Sequence, residues 1–111
     1  MIAMSSTPIQ NILDGRFEGK QVNIKGWVYR KRESKDIIFV AVRDATGVIQ
    51  CTVKRDSPAW AEAERVAIES SVTLAGTVRK DERAPGGFEV STSQLKIVGL
   101  AEPFPITKDQ S

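Results

Sequence analysis

Ile37-Ile38-Phe39-Val40-Ala41-Val42-Arg43-Asp44-Ala45-Thr46-Gly47-Val48-Ile49-Gln50-Cys51-Thr52-Val53 holds two short apolar runs on either side of Ala45-Thr46-Gly47. Valine, isoleucine and phenylalanine suit a pleated, half-buried surface, and a short glycine-containing connection joins antiparallel neighbours, so the segment is expected to be a β-hairpin. Side chains on a strand alternate between faces. Ile38, Val40 and Val42 therefore point one way, and Phe39 and Arg43 the other. In the second run Ile49, Cys51 and Val53 form the apolar set, which leaves Val48, Gln50 and Thr52 outside.

Phe39 and Gln50 are thus placed together on a solvent-facing sheet. A ring that can stack on an unpaired base, beside an amide that can bond the base's Watson–Crick edge, is what recognition of single-stranded RNA requires. Taken alone the pair is also compatible with two incidental exposed neighbours, because single apolar residues are common on protein surfaces. The rest of the chain decides between these readings.

The 111 residues, 41% hydrophobic and 27% charged, have the length and composition of one soluble globular domain with a single core. The net charge of +2 is small, but its distribution is uneven. Lys25, Arg30, Lys31, Arg32 and Lys35 crowd one segment, which is either a basic footprint for a polyanion or a solvated strand end. One cysteine and no histidine exclude an internal disulfide and a zinc site of the usual ligands. Cys51 has the parity of a small buried hydrophobe. Without histidine the commonest general base is missing, and the lone thiol has no partner to activate it, so this chain by itself is expected to be non-catalytic. Glu62, Glu64 and Glu69 fall in a helical stretch whose solvated face accounts for them. Gly86-Gly87 follows Pro85 between two strand-like runs and reads as a turn, not a phosphate loop. No apolar stretch approaches the length that crosses a bilayer and no signal-peptide layout is present, so no membrane partner and a cytoplasmic location are expected.

Along the chain, Met1 to Thr7 is polar and expected to be mobile. Thr7-Pro8 offers a cap and a first-turn proline for a short helix over Pro8 to Leu13, stopping at Gly15. Lys20 to Lys31 alternates, with Val22, Ile24, Gly26 and Val28 inward and Asn23, Lys25, Trp27 and Tyr29 outward. Gly26 in its interior suggests a bend or bulge. After the hairpin, Ser57-Pro58 caps a helix reaching Ile68, with Trp60 as its packing anchor beside Ala63, Val66 and Ala67. A fourth strand runs from Ser71 to Asp81 with Val72, Leu74, Gly76 and Val78 inward. A turn on Ala84-Pro85-Gly86-Gly87 leads to a fifth strand, Phe88 to Val98, with Val90 inward and Glu89 outward. The parity of Val90 conflicts with that of Leu95 and Ile97, which predicts a bulge near Thr92 and Ser93. Five strands with a helix between the third and fourth is the order of the OB-fold, an all-β, five-stranded Greek-key barrel that binds oligonucleotides on its middle strands. A β-sandwich would need more strands. The domain is placed at residues 19–100, preceded by an N-terminal segment, 1–18, with its short helix, and followed by a linker, 101–111.

Gly26-Trp27-Val28-Tyr29-Arg30-Lys31-Arg32, Ile38 to Asp44, Gly47-Val48-Ile49-Gln50, Glu69-Ser70-Ser71-Val72, Gly76-Thr77-Val78, Arg83 to Val90 and Phe104-Pro105-Ile106 occur in that order. Together they resemble the N-terminal anticodon-binding domain of class IIb aminoacyl-tRNA synthetases. The Arg-Ala-Pro-Gly-Gly turn and the Glu-Ser-Ser-Val run resemble the archaeal type of asparaginyl enzyme more than the aspartyl type. The resemblance implies that Phe39 stacks on the central anticodon uridine, that Gln50 bonds the same base, that Glu89 contacts the first base, and that Arg30 and Arg32 contact the anticodon or its phosphates. Lys25, Lys31 and Trp27 join them as candidate nucleic-acid contacts on the basic strand. Arg30 fits less well, because simple alternation from Val28 turns it inward unless the strand bends there. Arg43 and Asp44 read equally well as a surface pair closing the hairpin.

The partner so implied is tRNA through its anticodon loop, tRNA-Asn in particular. The resemblance also implies a longer, homodimeric ATP-dependent ligase, whose ATP and magnesium belong to a catalytic domain this chain lacks. No cofactor and no metal are expected in this domain. A free-standing OB protein that binds single strands without base preference, and a barrel whose Phe39 touches a partner protein, are the alternatives.

Overall fold

A computed structural model of the protein describes residues 6–99. The expectations for the first five residues and for the linker over 101–111 lie outside the described residues. Helix α1 (Ile9–Leu13) is followed by β1 (Gln21–Glu33), β2 (Ile37–Arg43), β3 (Val48–Lys54), α2 (Trp60–Arg65), β4 (Ser71–Lys80) and β5 (Phe88–Gly99). The strands close into a barrel in the order β1-β2-β3-β5-β4, with β3 and β5 parallel and every other pair antiparallel. Closure removes free sheet edges, and the crossover through α2 and β4 is what brings β5 beside β3.

The inward alternation builds the core as expected. Val22, Ile24, Val28, Ile38, Val40, Val42, Ile49, Cys51, Val53, Val72, Leu74, Val78, Val90 and Leu95 are all buried. Burial pushes the Cys51 thiol far above its ordinary range, with the Glu89 carboxylate adding to the effect, so it acts as a packed hydrophobe. Thr52 departs from its expected exposure. It faces outward by register but is covered, and its hydroxyl donates to the Val90 carbonyl at 3.4 Å.

Two inward glycines let neighbouring strands meet. A Cβ at Gly26 would collide with the Arg43 carbonyl oxygen, and one at Gly76 with that of Ser91. The predicted irregularity in β5 is present: Ala75 pairs with Gln94 and Gly76 with Thr92, leaving Ser93 as the extra residue. β1 carries a bulge, not at Gly26, where the glycine suggested one, but three residues later. Val28 pairs with Val42 and Arg30 with Ala41, so Tyr29 has no partner.

The helices differ from expectation at their ends. α1 begins with Pro8, not Thr7, in the N-cap position and no side chain of its own caps it. The cap comes from 35 residues away, where Asp44 Oδ2 accepts the Ile9 N–H at 3.0 Å. Asp44 also closes the hairpin turn, its Oδ1 accepting from the Thr46 N–H, the Thr46 hydroxyl and the Gly47 N–H. α2 stops at Arg65 instead of Ile68. Val66 turns extended and is buried, which leaves Ala67 and Ile68 exposed. Trp60 packs against the core, as the sequence suggests.

Candidate nucleic-acid interface

On the outer face a lateral row crosses all five strands. Arg30 stands opposite Ala41, Ala41 opposite Gln50, Gln50 opposite Glu89, and Glu89 opposite Arg79. One step along the strands, Arg32 stands opposite Phe39. Neighbouring strands lie about 4.8 Å apart, so Glu89 and Arg30 are separated by three strand steps, about 14 Å along the sheet.

The bulge decides which basic residues join this face. The extra residue at Tyr29 shifts the alternation of everything after it, so Arg30 and Arg32 turn outward and Lys31 turns to the inner side, opposite Val40. Lys31 is mostly covered. Its ammonium donates to the carbonyls of Glu64 at 2.8 Å and Val66 at 2.9 Å and pairs with Glu33 at 3.3 Å. A cation at a helix C-terminus satisfies otherwise orphaned carbonyls. Lys31 also lines the groove shared by Arg30, Arg32 and Phe39, but its ammonium is committed to ending α2.

Phe39, Gln50, Arg30, Arg32 and Ala41 line one groove of about 570 Å³, with Val48, Ile68 and Pro85 at its rim. The guanidinium of Arg32 lies 4.5 Å from the centre of the Phe39 ring, a cation–π contact. The Gln50 amide nitrogen donates to Glu89 Oε1 at 3.4 Å, across the parallel β3–β5 pair. That bond orients the amide and leaves its second N–H and its carbonyl oxygen for another partner.

The structure thus brings together Phe39, Gln50, Glu89, Arg30 and Arg32. Lys25 lies apart from them. It pairs with Thr73 of β4 and lines a different hollow with Asn23 and Gln94. Trp27 is 46% exposed but sits one row further along, opposite Arg43 and Ser71, in a hollow with Val72 and Val98. Several members of the face were not singled out from sequence. Ala41 supplies the low floor between ring and amide, and its outward parity was available. Arg79 ends the row on β4, and the inward Val78 before it was the signal. Ile68 comes from a loop and Pro85 from a single 3-10 turn, Pro85–Gly87, and neither carries a periodicity.

Unpaired bases and their anionic phosphates suit such a face. The ring offers a sequence-tolerant stacking surface, the amide pairs with a donor and an acceptor at once, the carboxylate accepts from donors only, and the guanidinium groups bind phosphate.

Comparisons with known proteins agree with this chemistry. A family model described as an OB-fold nucleic acid binding domain, of the tRNA anti-codon type, matches residues 22–98. Among curated proteins, the chain is 48% identical over 96 residues to an asparagine–tRNA ligase of Thermococcus kodakarensis, covering 85% of this chain and 22% of that protein. It is 46% identical over 96 residues to an asparagine–tRNA ligase of Pelotomaculum thermopropionicum, again covering 22% of it. The chain therefore spans about a fifth of the length of these relatives, from the 22% covered in each. Among solved structures, asparaginyl-tRNA synthetase from Pyrococcus horikoshii superimposes with a TM-score of 0.83 at 33% identity, covering 96% of this chain and 26% of that one. An aspartyl-tRNA synthetase from Entamoeba histolytica shares the fold at 20% identity and a TM-score of 0.79, covering 93% of this chain and 23% of that one.

Proposed function

The chain belongs to the family of OB-fold nucleic acid binding domains of the tRNA anti-codon type, and from that premise we propose that its Phe39–Gln50–Glu89 face reads the anticodon of tRNA-Asn for an asparagine–tRNA ligase. The observation that carries the reading is one basic groove that holds a half-buried, outward-facing ring and an amide, the amide oriented by its hydrogen bond to the neighbouring Glu89 carboxylate. The anticodon bases are splayed outward onto the sheet. The central uracil stacks on Phe39, where it takes the place of Arg32, whose guanidinium then holds the neighbouring phosphate. Stacking of this kind contributes about 1–3 kcal/mol whatever the base. Discrimination comes from edges. Uracil presents an acceptor and a donor, which the Gln50 amide meets with its free N–H and carbonyl. A first-position guanine presents N1–H and N2–H, which the Glu89 carboxylate accepts.

The similarity of this chain to asparaginyl enzymes at 48% and 33% identity supports asparagine over aspartate as the amino acid. Aminoacylation itself, homodimer formation and a cytoplasmic location belong to the same proposal and to the longer protein. Among the described residues there is no group of three or more His, Cys, Asp or Glu side chains that could hold a metal ion, and ATP and magnesium belong, in this proposal, to the longer protein. Among the described residues, too, no helix is long and apolar enough to cross a membrane.

The test is a titration of Phe39→Ala and Gln50→Ala with stem-loops bearing GUU and GAU. Phe39→Ala is expected to weaken both loops, and Gln50→Ala to erase the preference for GUU while leaving GAU binding nearly unchanged. Equal loss on both loops for Gln50→Ala would remove the edge-reading role.

A further inference from the structure

The proposed reading gives the RNA a direction across the sheet: the first base over Glu89 on β5, and the second over Gln50 and Phe39 on β3 and β2. The next strand in that direction is β1, which presents Arg30 opposite Ala41 and, next to it in the bulge, Tyr29. This residue is the unpaired member of the β1 bulge, 39% exposed. Two guanidinium groups lie over its ring, Arg30 at 5.2 Å and Arg43 at 5.4 Å from the centre, so a base stacking on Tyr29 takes the place of one of them. Bulges re-aim a side chain away from the regular ladder and recur beside binding sites. This one frees an aromatic ring from the ladder and places it between the Arg43 row and the Arg30 row.

We propose that Tyr29 is the stacking platform for the third anticodon base, with Arg30 and Arg43 as its flanking donors. The inference rests on the anticodon reading above and adds a residue to it. Three features support the assignment. Continuing the base path by one strand leads from β2 to β1, and the residue of β1 level with the Phe39–Gln50 groove is Arg30, next to Tyr29. The competing exposed ring, Trp27, lies further along β1 in a hollow formed with Val72 and Val98. Finally, guanidinium groups beside an aromatic ring combine stacking with hydrogen-bond donors, the combination used to hold unpaired bases.

A double-mutant cycle tests it, with Tyr29→Ala and Phe39→Ala each titrated against a GUU stem-loop and two versions lacking the base at the second or third anticodon position. Base–aromatic stacking sets the expected effect of Tyr29→Ala on the intact loop at about a 5- to 150-fold loss of affinity. That loss is expected to vanish on the loop lacking the third base and to persist on the loop lacking the second. Tyr29→Phe, which retains the ring, is expected to bind like the unsubstituted protein. A Tyr29→Ala loss that persists on the loop lacking the third base, or no loss at all, overturns the assignment. Should Tyr29→Ala fail to fold by circular dichroism, Tyr29→Leu, with bulk but no π face, replaces it. Failure of the anticodon reading itself is separable, because the Phe39→Ala loss would then not depend on the second base, whatever Tyr29 does.

Discussion

Replacing Asp44 with alanine removes a side chain that, with the Thr46 hydroxyl accepting from the Gln10 N–H at 3.0 Å, ties α1 to the β2–β3 hairpin. Its carboxylate accepts four hydrogen bonds: from the Ile9 N–H at 3.0 Å, the Thr46 N–H at 2.7 Å, the Thr46 hydroxyl at 2.7 Å and the Gly47 N–H at 3.0 Å. Loss of a helix cap costs about 1 kcal/mol. Loss of charge-assisted bonds within a turn costs a further 1–2 kcal/mol or so, because the donors left behind are partly reached by water. The expected total is about 2–3 kcal/mol, which for a domain of this size lowers Tm by about 10–20 °C. Partial burial acts to raise the Asp44 pKa, but the hydrogen bonds from Thr46, Ile9 and Gly47 outweigh it and hold the carboxyl below its ordinary value. A depressed carboxylate contributes stability that is fully present above the unfolded-state pKa, about 3.9. The contribution fades as pH falls through the folded value. Urea denaturation of both proteins at pH 7 and at pH 3 measures this. The gap between them should be widest at pH 7 and narrow in acid. A gap under 0.5 kcal/mol at pH 7, or one that widens in acid, would refute the assigned role.

Lys31→Ala is expected to destabilise the fold by about 2 kcal/mol, as the carbonyls of Glu64 and Val66 lose their cation, while the salt dependence of RNA binding stays unchanged. Arg32→Ala should do the reverse, leaving the urea midpoint nearly in place and reducing the log–log salt slope by about 0.7, the value for one phosphate on a single strand. Gly76→Ala forces a Cβ against the Ser91 carbonyl oxygen and within 2.7 Å of Val90 Cγ1. Overpacking against backbone should cost about 3 kcal/mol by chemical denaturation.

Most of the barrel is legible because its strands alternate strictly and each apolar residue marks a face. The two bulges show where that signal stops. Near Ser93 the apolar residues Val90 and Leu95 stand on either side with conflicting parity, so the extra residue betrays itself. At Tyr29 the bulge is followed by Arg30, Lys31 and Arg32, and no apolar residue resets the count. Alternation from Val28 therefore turns Lys31 outward, when it is turned toward α2. The same bulge resolves the difficulty with Arg30, which alternation alone would bury. Helix ends were obscured for another reason. The cap of α1 is Asp44, 35 residues distant, and the stop of α2 is Lys31, 33 residues from the Glu64 carbonyl it binds. Neither leaves a mark in the local sequence, where Thr7 offers a cap and the helical pattern runs on to Ile68. The outward placement of Phe39, Gln50 and Glu89 was legible because each stands between two apolar residues of the opposite parity: Ile38 and Val40, Ile49 and Cys51, Phe88 and Val90.

A fluorescence titration of the unsubstituted protein with stem-loops bearing GUU, GUC and GAU, at two salt concentrations, tests the central claim most directly. GUU should bind tightest, with GAU weaker by about 1–3 kcal/mol for one misread base and all three affinities falling as salt rises. Equal affinity for the three loops, or no binding at low salt, would contradict the account of this face as an anticodon reader.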